Sequence, residues 1–236
     1  MDKINLDNYK GIIFDLDGVI YDITKAIQHA VDDAIDKYEM GVNRDDIMQD
    51  IAHLIEEIQN YPVPQIILKS YDLLKELKAL EGLKYFKKMR IAIFLFNQFN
   101  KYREDAEIFE NVDAIISKLS KKVKLAILTN NKSSYAEEVL EKFNLTKYFE
   151  TIIGFNDVSE VKPNPEGLEK ILNIWKLKSS DAIFIGDMTT DILAGKAANI
   201  KTICVASGLA QKETLREQNP DILLDKVQDL NLLFNI

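Results

Sequence analysis

The chain has 236 residues, 47% of them hydrophobic, with 30 Lys and Arg against 38 Asp and Glu for a net charge of −8. That length can bury one substantial core with room for a smaller unit, and the acidic surplus argues against nucleic acid, whose binding calls for a basic face. The single cysteine, Cys204, excludes an intrachain disulfide and lies in the apolar run KTICVAS; the opening stretch MDKINLDNYK predicts neither a signal peptide nor a membrane span, so a cytoplasmic protein with no membrane partner is expected.

The first predicted element is a buried strand, GIIFDLDG from Gly11, an apolar run rich in β-branched residues. From 22 to 105 the sequence is almost wholly helix-like. TKAIQHAVDDAIDKY, RDDIMQDIAHLIEEI and PQIILKSYDLLKELKAL each place apolar residues three and four apart. The prolines of YPVP at 61–64 divide these helices, and Gly41 and Gly82 offer further stops. His29 and His53 are expected to be ordinary helix residues here, and Lys84, Lys87, Lys88 and Arg90 a solvated helix face. IAIFLF from Ile91 is expected either to pack within the insertion or to form a partner surface, and the oligomeric state stays open.

Roughly a hundred residues separate the first strand from the second, KLAILTN from Lys124, where one strand–helix–strand unit needs only about thirty or more. The intervening segment is therefore an insertion, a helical cap over 22–105 set into a core of 1–21 and 106–236. Beyond Lys124 come strands TIIGFND from Thr151, AIFIGDM from Ala182 and KTICVAS from Lys201. Helices are predicted between them at 133–143, 165–176 and 190–199. This alternation predicts a three-layer, Rossmann-like α/β core with a parallel sheet.

Four of these strands end in polar residues: Asp15, Asp17 and Gly18; Thr129 and Asn130; Asn156 and Asp157; Asp187. In open parallel sheets ligands bind beyond the carboxyl ends of strands, so carboxylates from the first and fourth strands are expected to share a crevice. Oxygen ligands without histidine or cysteine suit magnesium, a hard cation that takes a few carboxylates and a phosphate oxygen. The two-residue spacing of Asp15 and Asp17 puts both side chains on one side of an extended segment, as a carboxylate nucleophile and its acid/base partner require. Taken alone, the pair reads equally as a solvated turn closed by Gly18. Thr129 alone reads as a strand residue, Lys162 as a surface lysine stiffened by Pro163 and Pro165, and the aspartates of GDMTTD as a helix N-terminus.

Together, DLDGVIYD at Asp15, the strand-end Thr129, Lys162 in VKPNPE and GDMTTD at Asp187 resemble the four motifs of haloacid dehalogenase-like hydrolases. The stretch 123–208 is similar to the phosphoglycolate phosphatase-like branch, and the insertion resembles that branch's helical cap. The resemblance implies that Asp15 is the nucleophile, with Asp17 as general acid and base. It implies Mg2+ held by Asp15, Asp187 and the backbone carbonyl of Asp17, with Asp191 steadying ligands or ordered water around it. Thr129, Asn130 through its N–H, and Lys162 would bind phosphate. The activity implied is magnesium-dependent hydrolysis of a small phosphate monoester, phosphoglycolate-like or a sugar phosphate, through an aspartyl-phosphate, so the expected partner is a small phosphorylated metabolite. A phosphomutase of the same family is the alternative. A non-catalytic binding protein on this fold would have no reason to keep Asp15, Asp17, Lys162, Asp187 and Asp191 together. Val19, Ile23 and Glu110-Asn111 depart from the family's commonest wording, in the loop and hinge that shape the entrance rather than at a reacting group.

Overall fold

A computed structural model describes residues 3–59 and 77–236. They divide into two units, Met1–Asp22 with Ile108–Ile236, and Ile23–Glu107. In chain order the strands are β1 (Gly11–Phe14), β2 (Tyr21–Asp22), β3 (Glu107–Ile108), β4 (Lys124–Leu128), β5 (Thr151–Ile153), β6 (Ala182–Gly186), β7 (Lys201–Val205) and β8 (Ile222–Leu224). The helices longer than one turn are α1 (Thr24–Tyr38), α2 (Arg44–Gln59), α3 (Tyr85–Arg103), α4 (Val112–Leu119), α5 (Ser133–Lys142), α6 (Glu166–Trp175), α7 (Thr189–Ala197), α8 (Lys212–Glu217) and α9 (Leu230–Phe234).

Six strands form one sheet in the order β5-β4-β1-β6-β7-β8, and every neighbouring pair is parallel. β1 is buried at all four positions because it lies in the middle, level with β4 on one side and β6 on the other: Phe14 faces Ile127 and Ile185 in register. The chain winds outward from β1 through β4 to β5, then returns to β6 and winds the other way. The switch in direction therefore falls between β1 and β6, and the crevice beyond their carboxyl ends is the place where such sheets bind ligands. Asp15 and Asp187 are the residues that follow these two strands.

The elements that place them follow from side-chain pattern. α6 buries Leu168, Ile171, Leu172 and Trp175, the three- and four-residue spacing of one helical face, against Ile13, Leu128, Ile153 and Phe184 of the sheet. Each such fully buried side chain contributes about 1.5–3 kcal/mol relative to exposure. β8 was not expected: its three residues, Ile-Leu-Leu, sit between Asp221 and Asp225 and are too few to show a pattern. β2 and β3 pair as a separate two-stranded ribbon at the two ends of the insertion.

In the insertion, Asp33 of α1 accepts hydrogen bonds from the Tyr102 hydroxyl (2.8 Å) and from the Gln98 amide of α3. Arg44 at the start of α2 holds Asp32 with two bonds of 2.6 Å each. α1 stops at a left-handed Glu39 (φ 47°), two residues before the expected glycine stop. The YPVP break and most of the third predicted helix lie outside the described residues. Of the basic cluster, Lys84, Lys87 and Arg90 are exposed as expected, but Lys88 is buried. Within IAIFLF, Ile91 is buried while Ile93 and Phe96 are exposed. His29 and His53 are both exposed, and His29 sets its ring edge-on to Tyr102 at 5.2 Å. Among the described residues no helix is long and apolar enough to cross a membrane.

Candidate active site

β1 delivers Asp15, whose N–H donates to the Ile185 carbonyl at 2.8 Å, so the ladder to β6 extends one residue past the strand. The chain then turns sharply. The N–H groups of Ile20 and Tyr21 both donate to the Leu16 carbonyl, the Gly18 N–H donates to the Tyr21 carbonyl, and Gly18 adopts φ +77°. A side chain at Gly18 would be strained by that φ, and its Cβ would lie 2.1 Å from Asp187 Oδ2. Gly208, after β7, is crowded by the same carboxylate: a Cβ there would lie 1.7 Å from the same oxygen. The Ser207 hydroxyl donates to the Gly18 carbonyl at 2.8 Å and ties the two loops together around Asp187.

Lys162 enters from the loop before α6. Its ammonium reaches Asp15 Oδ1 at 2.9 Å, Asp191 Oδ1 at 2.7 Å and the Leu128 carbonyl at 3.3 Å, one acceptor for each N–H. The loop is held from outside the site. Asn130 clamps the Lys162 backbone, accepting from its N–H and donating to its carbonyl, both at 3.2 Å. Glu166 accepts from the N–H groups of Ser159 and Glu160, which pull its carboxyl below the usual range. Pro163 follows through a cis peptide bond.

Asp191, in the first turn of α7, uses Oδ2 to accept from the N–H groups of Asp187 and Met188 at 3.0 and 2.9 Å, and gives Oδ1 to Lys162. Both of its oxygens are thus engaged. Among the described residues Asp187 Oδ1 is buried with no hydrogen-bond partner, and Asp191 Oδ1 has its ion pair with Lys162 alone. Thr129 is buried at the end of β4 with its N–H on the Ile153 carbonyl, and its hydroxyl oxygen accepts from the Asn131 N–H at 3.1 Å.

Asp17 lies to one side of this cluster. Its carboxylate accepts from the Asn131 side chain at 2.6 Å and from the Tyr135 hydroxyl at 3.2 Å. Asn156 and Asp157, also strand-end residues, serve local structure instead: Asn156 Oδ1 accepts from the Ser133 N–H at the start of α5, and Asp157 Oδ2 from the Gly154 N–H.

Burial pushes the Asp15 carboxyl up to about 7 against the opposing pull of Lys162, with Asp191 and Asp17 adding to the rise. Asp187 is raised well above the carboxylate range, first by burial and then by the charges of Asp15 and Asp191. Lys162 moves the other way. Burial alone would lower its pKa, but Asp15 and Asp191 outweigh that and hold the ammonium charged. Ionised, Asp15, Asp187 and Asp191 against Lys162 leave a formal charge of −2, three negatives and one positive. Carboxylate oxygens of the three aspartates lie within 4.8 Å of one another. A buried, partnerless oxygen, an all-oxygen donor set and a deficit of two charges fit a hard divalent cation.

The site thus gathers Asp15, Lys162, Asp187 and Asp191, with Thr129 and Asn130 at the neighbouring strand end. Sequence reasoning missed Asn131, Tyr135 and Ser207. Ser207 carries the same signal as the others, a polar residue just past a predicted strand.

Fold and site define a doubly wound α/β protein with a buried acidic centre at the sheet's switch point. Residues 12–205 match the family described as haloacid dehalogenase-like hydrolase. The chain is 39% identical over 107 residues to pyrophosphatase PpaX of Halalkalibacterium halodurans, a match covering 45% of this chain and 50% of that protein. It is 28% identical over 239 residues to the phosphoglycolate phosphatase of Salmonella choleraesuis, covering 98% and 93%. A haloacid dehalogenase-like hydrolase of Streptococcus pneumoniae shares the fold with a TM-score of 0.67 at 18% identity, over 96% of this chain and 99% of that one. The chain belongs to the haloacid dehalogenase-like hydrolase family.

Proposed function

We propose that this enzyme is a magnesium-dependent phosphatase that hydrolyses a small phosphate monoester by way of a phosphoryl group carried on Asp15. The observation that carries the reading is the buried triad Asp15–Lys162–Asp191 beside the partnerless oxygen of Asp187. Asp15, Asp187 and the backbone carbonyl of Asp17 would hold Mg2+, which when bound neutralises charge on the phosphate and on the carboxylates around it.

An Asp15 carboxylate oxygen attacks phosphorus in line with the leaving group, and the bond from phosphorus to the ester oxygen breaks. Asp17 gives its proton to that departing oxygen, and then takes a proton from the water that attacks the aspartyl-phosphate, releasing inorganic phosphate and restoring the Asp15 carboxylate. Lys162 steadies both Asp15 and the phosphoryl oxygens, and the Thr129 hydroxyl and the Asn130 N–H donate to the equatorial oxygens. The structure adds a task for Asn130, whose side chain fixes the Lys162 backbone. Asp191, with both oxygens engaged, acts by holding Lys162 and the turn at Asp187.

Residues 22–105 act in this reading as a cap that selects the substrate, a small phosphorylated metabolite. Relatives named as a phosphoglycolate phosphatase and a pyrophosphatase set the first panel: 2-phosphoglycolate, sugar phosphates and inorganic pyrophosphate. The test is hydrolysis of p-nitrophenyl phosphate with magnesium, with EDTA, and with magnesium restored, followed by that panel. Activity should vanish with EDTA and return with magnesium; full turnover in EDTA would exclude the mechanism.

A further inference from the structure

The connection from β4 into α5 reaches back to Asp17, and neither of the residues that do so belongs to the four motifs. Asn131 donates through its side-chain amide to Asp17 Oδ2 at 2.6 Å, while its own N–H donates to Thr129 Oγ1 at 3.1 Å. One residue thus joins the acid/base aspartate to the strand-end threonine. Asn131 is itself pinned, because its carbonyl accepts from the Phe155 N–H at 2.9 Å and a Cβ on neighbouring Gly154 would come within 2.6 Å of that carbonyl.

Tyr135, one turn further along, donates its hydroxyl to Asp17 Oδ1 at 3.2 Å. Its ring meets Tyr21 edge-on at 6.5 Å, and Tyr21 in turn packs on Phe143 at 6.1 Å. Tyr21 ends the turn that begins at Asp17, and its backbone bridges to Asp17. The turn bearing Asp17 is therefore anchored to α5 by ring packing and by two hydrogen bonds, one to each carboxylate oxygen. A half-buried carboxylate held at both oxygens has its direction set by its donors.

We infer that Asn131 and Tyr135 are positioning residues for Asp17, aiming its carboxyl at the oxygen that leaves and then at the incoming water. The inference rests on the phosphatase reading above. Its effect should appear where proton delivery limits the rate. Across aryl phosphates from 4-nitrophenyl to 4-methoxyphenyl, the need for protonation grows as the leaving group worsens.

Tyr135→Phe keeps the ring packing, and Asn131→Ser keeps a small polar side chain. Each should lower kcat/KM, which reports phosphoryl transfer and leaving-group departure, about tenfold more on 4-methoxyphenyl than on 4-nitrophenyl phosphate, and neither should lower it further in an Asp17→Asn background. A loss that is uniform across the series, or an equal further loss on top of Asp17→Asn, would overturn the positioning role. Asp17→Asn alone serves as the reference. If it shows no leaving-group dependence, the acid/base role of Asp17 fails and this inference with it; if it does and the two variants do not, only this inference fails.

Discussion

Two short ion pairs, one at the core site and one on the helical insertion, treat charge in opposite ways. At the core site the ammonium of Lys162 and the carboxylate of Asp15 have side chains only 3% and 10% exposed, and the ammonium meets three fixed acceptors, Asp15, Asp191 and the Leu128 carbonyl. In the insertion Arg44 and Asp32 make an equally short pair with side chains 49% and 36% exposed. Similar distances carry different energies, because desolvation and not separation sets the cost of a charge. A buried cluster that is short of positive charge is expensive for the fold and useful for chemistry, while a wet pair is cheap and tolerant of change.

The largest expected effect comes from the residue on which the mechanism turns. Asp15→Asn should reduce turnover to background and abolish phosphoenzyme, read by mass spectrometry of acid-quenched protein after exposure to acetyl phosphate. Asp17→Asn should instead accumulate label on Asp15 and release it slowly, since attack survives while water activation loses a contribution of about 10²–10⁴-fold. Label found on Asp17 would reverse the two roles.

Next in size is Lys162→Ala. It leaves Asp15 and Asp191 buried without their cation, so we expect a loss of about 3–5 kcal/mol in urea unfolding and a fall of about 10²–10³-fold in kcat. A stability loss under 1 kcal/mol would mean that the core pair is no more costly to break than a surface one.

A loss of comparable size, but dependent on pH, follows from the raised Asp15 carboxyl. Unfolded, Asp15 titrates near 3.8; folded and free of metal, near 7. Between those values the folded state binds the extra proton, so that state loses stability as pH rises through the window, by on the order of a few kcal/mol in all. Metal-free protein should therefore melt at progressively lower temperature from pH 4 to 7 relative to Asp15→Asn, which lacks the titrating group. Saturating magnesium should raise the melting temperature at pH 7. A difference between wild type and variant that stays flat with pH would show that burial does not strain Asp15.

The sheet was legible in the sequence because its strands are continuous apolar runs that end in polar residues, as in GIIFDLD and AIFIGD. The strand-end rule also led to the crevice, but it could not sort the polar residues it found. Asn156 and Asp157 obey it as well as Asp187 does, yet they hold the start of α5 and the Gly154 turn, since β5 lies at the sheet edge, away from the switch point. Asn131, just past KLAILTN, obeys the rule too, but Tyr135 was invisible for a different reason: an aromatic near the start of a helix is ordinary there, and only the fold of the Asp17 turn brings a carboxylate to it. Lys88 went the other way, read as solvated with its basic neighbours although the helix turns it inward.

The smallest effect tests the other half of the comparison. Arg44→Ala removes both 2.6 Å contacts to Asp32, and their geometry, bidentate and short, would suggest a strong interaction if distance decided the matter. Exposure decides it instead. Both partners keep much of their hydration when separated, the long arginine side chain regains rotamer freedom, and salt screens what attraction is left, so the expected cost is about 0.2–1 kcal/mol. For a protein of this size that shifts the melting temperature by about 4 °C at most. The shift should shrink in 1 M NaCl, whereas that of Lys162→Ala, measured alongside, should persist because ions do not reach the buried pair. A salt-insensitive loss of 3 kcal/mol at Arg44 would mean that the pair is enclosed in solution, and that the insertion, like the core, spends charge on a desolvated site.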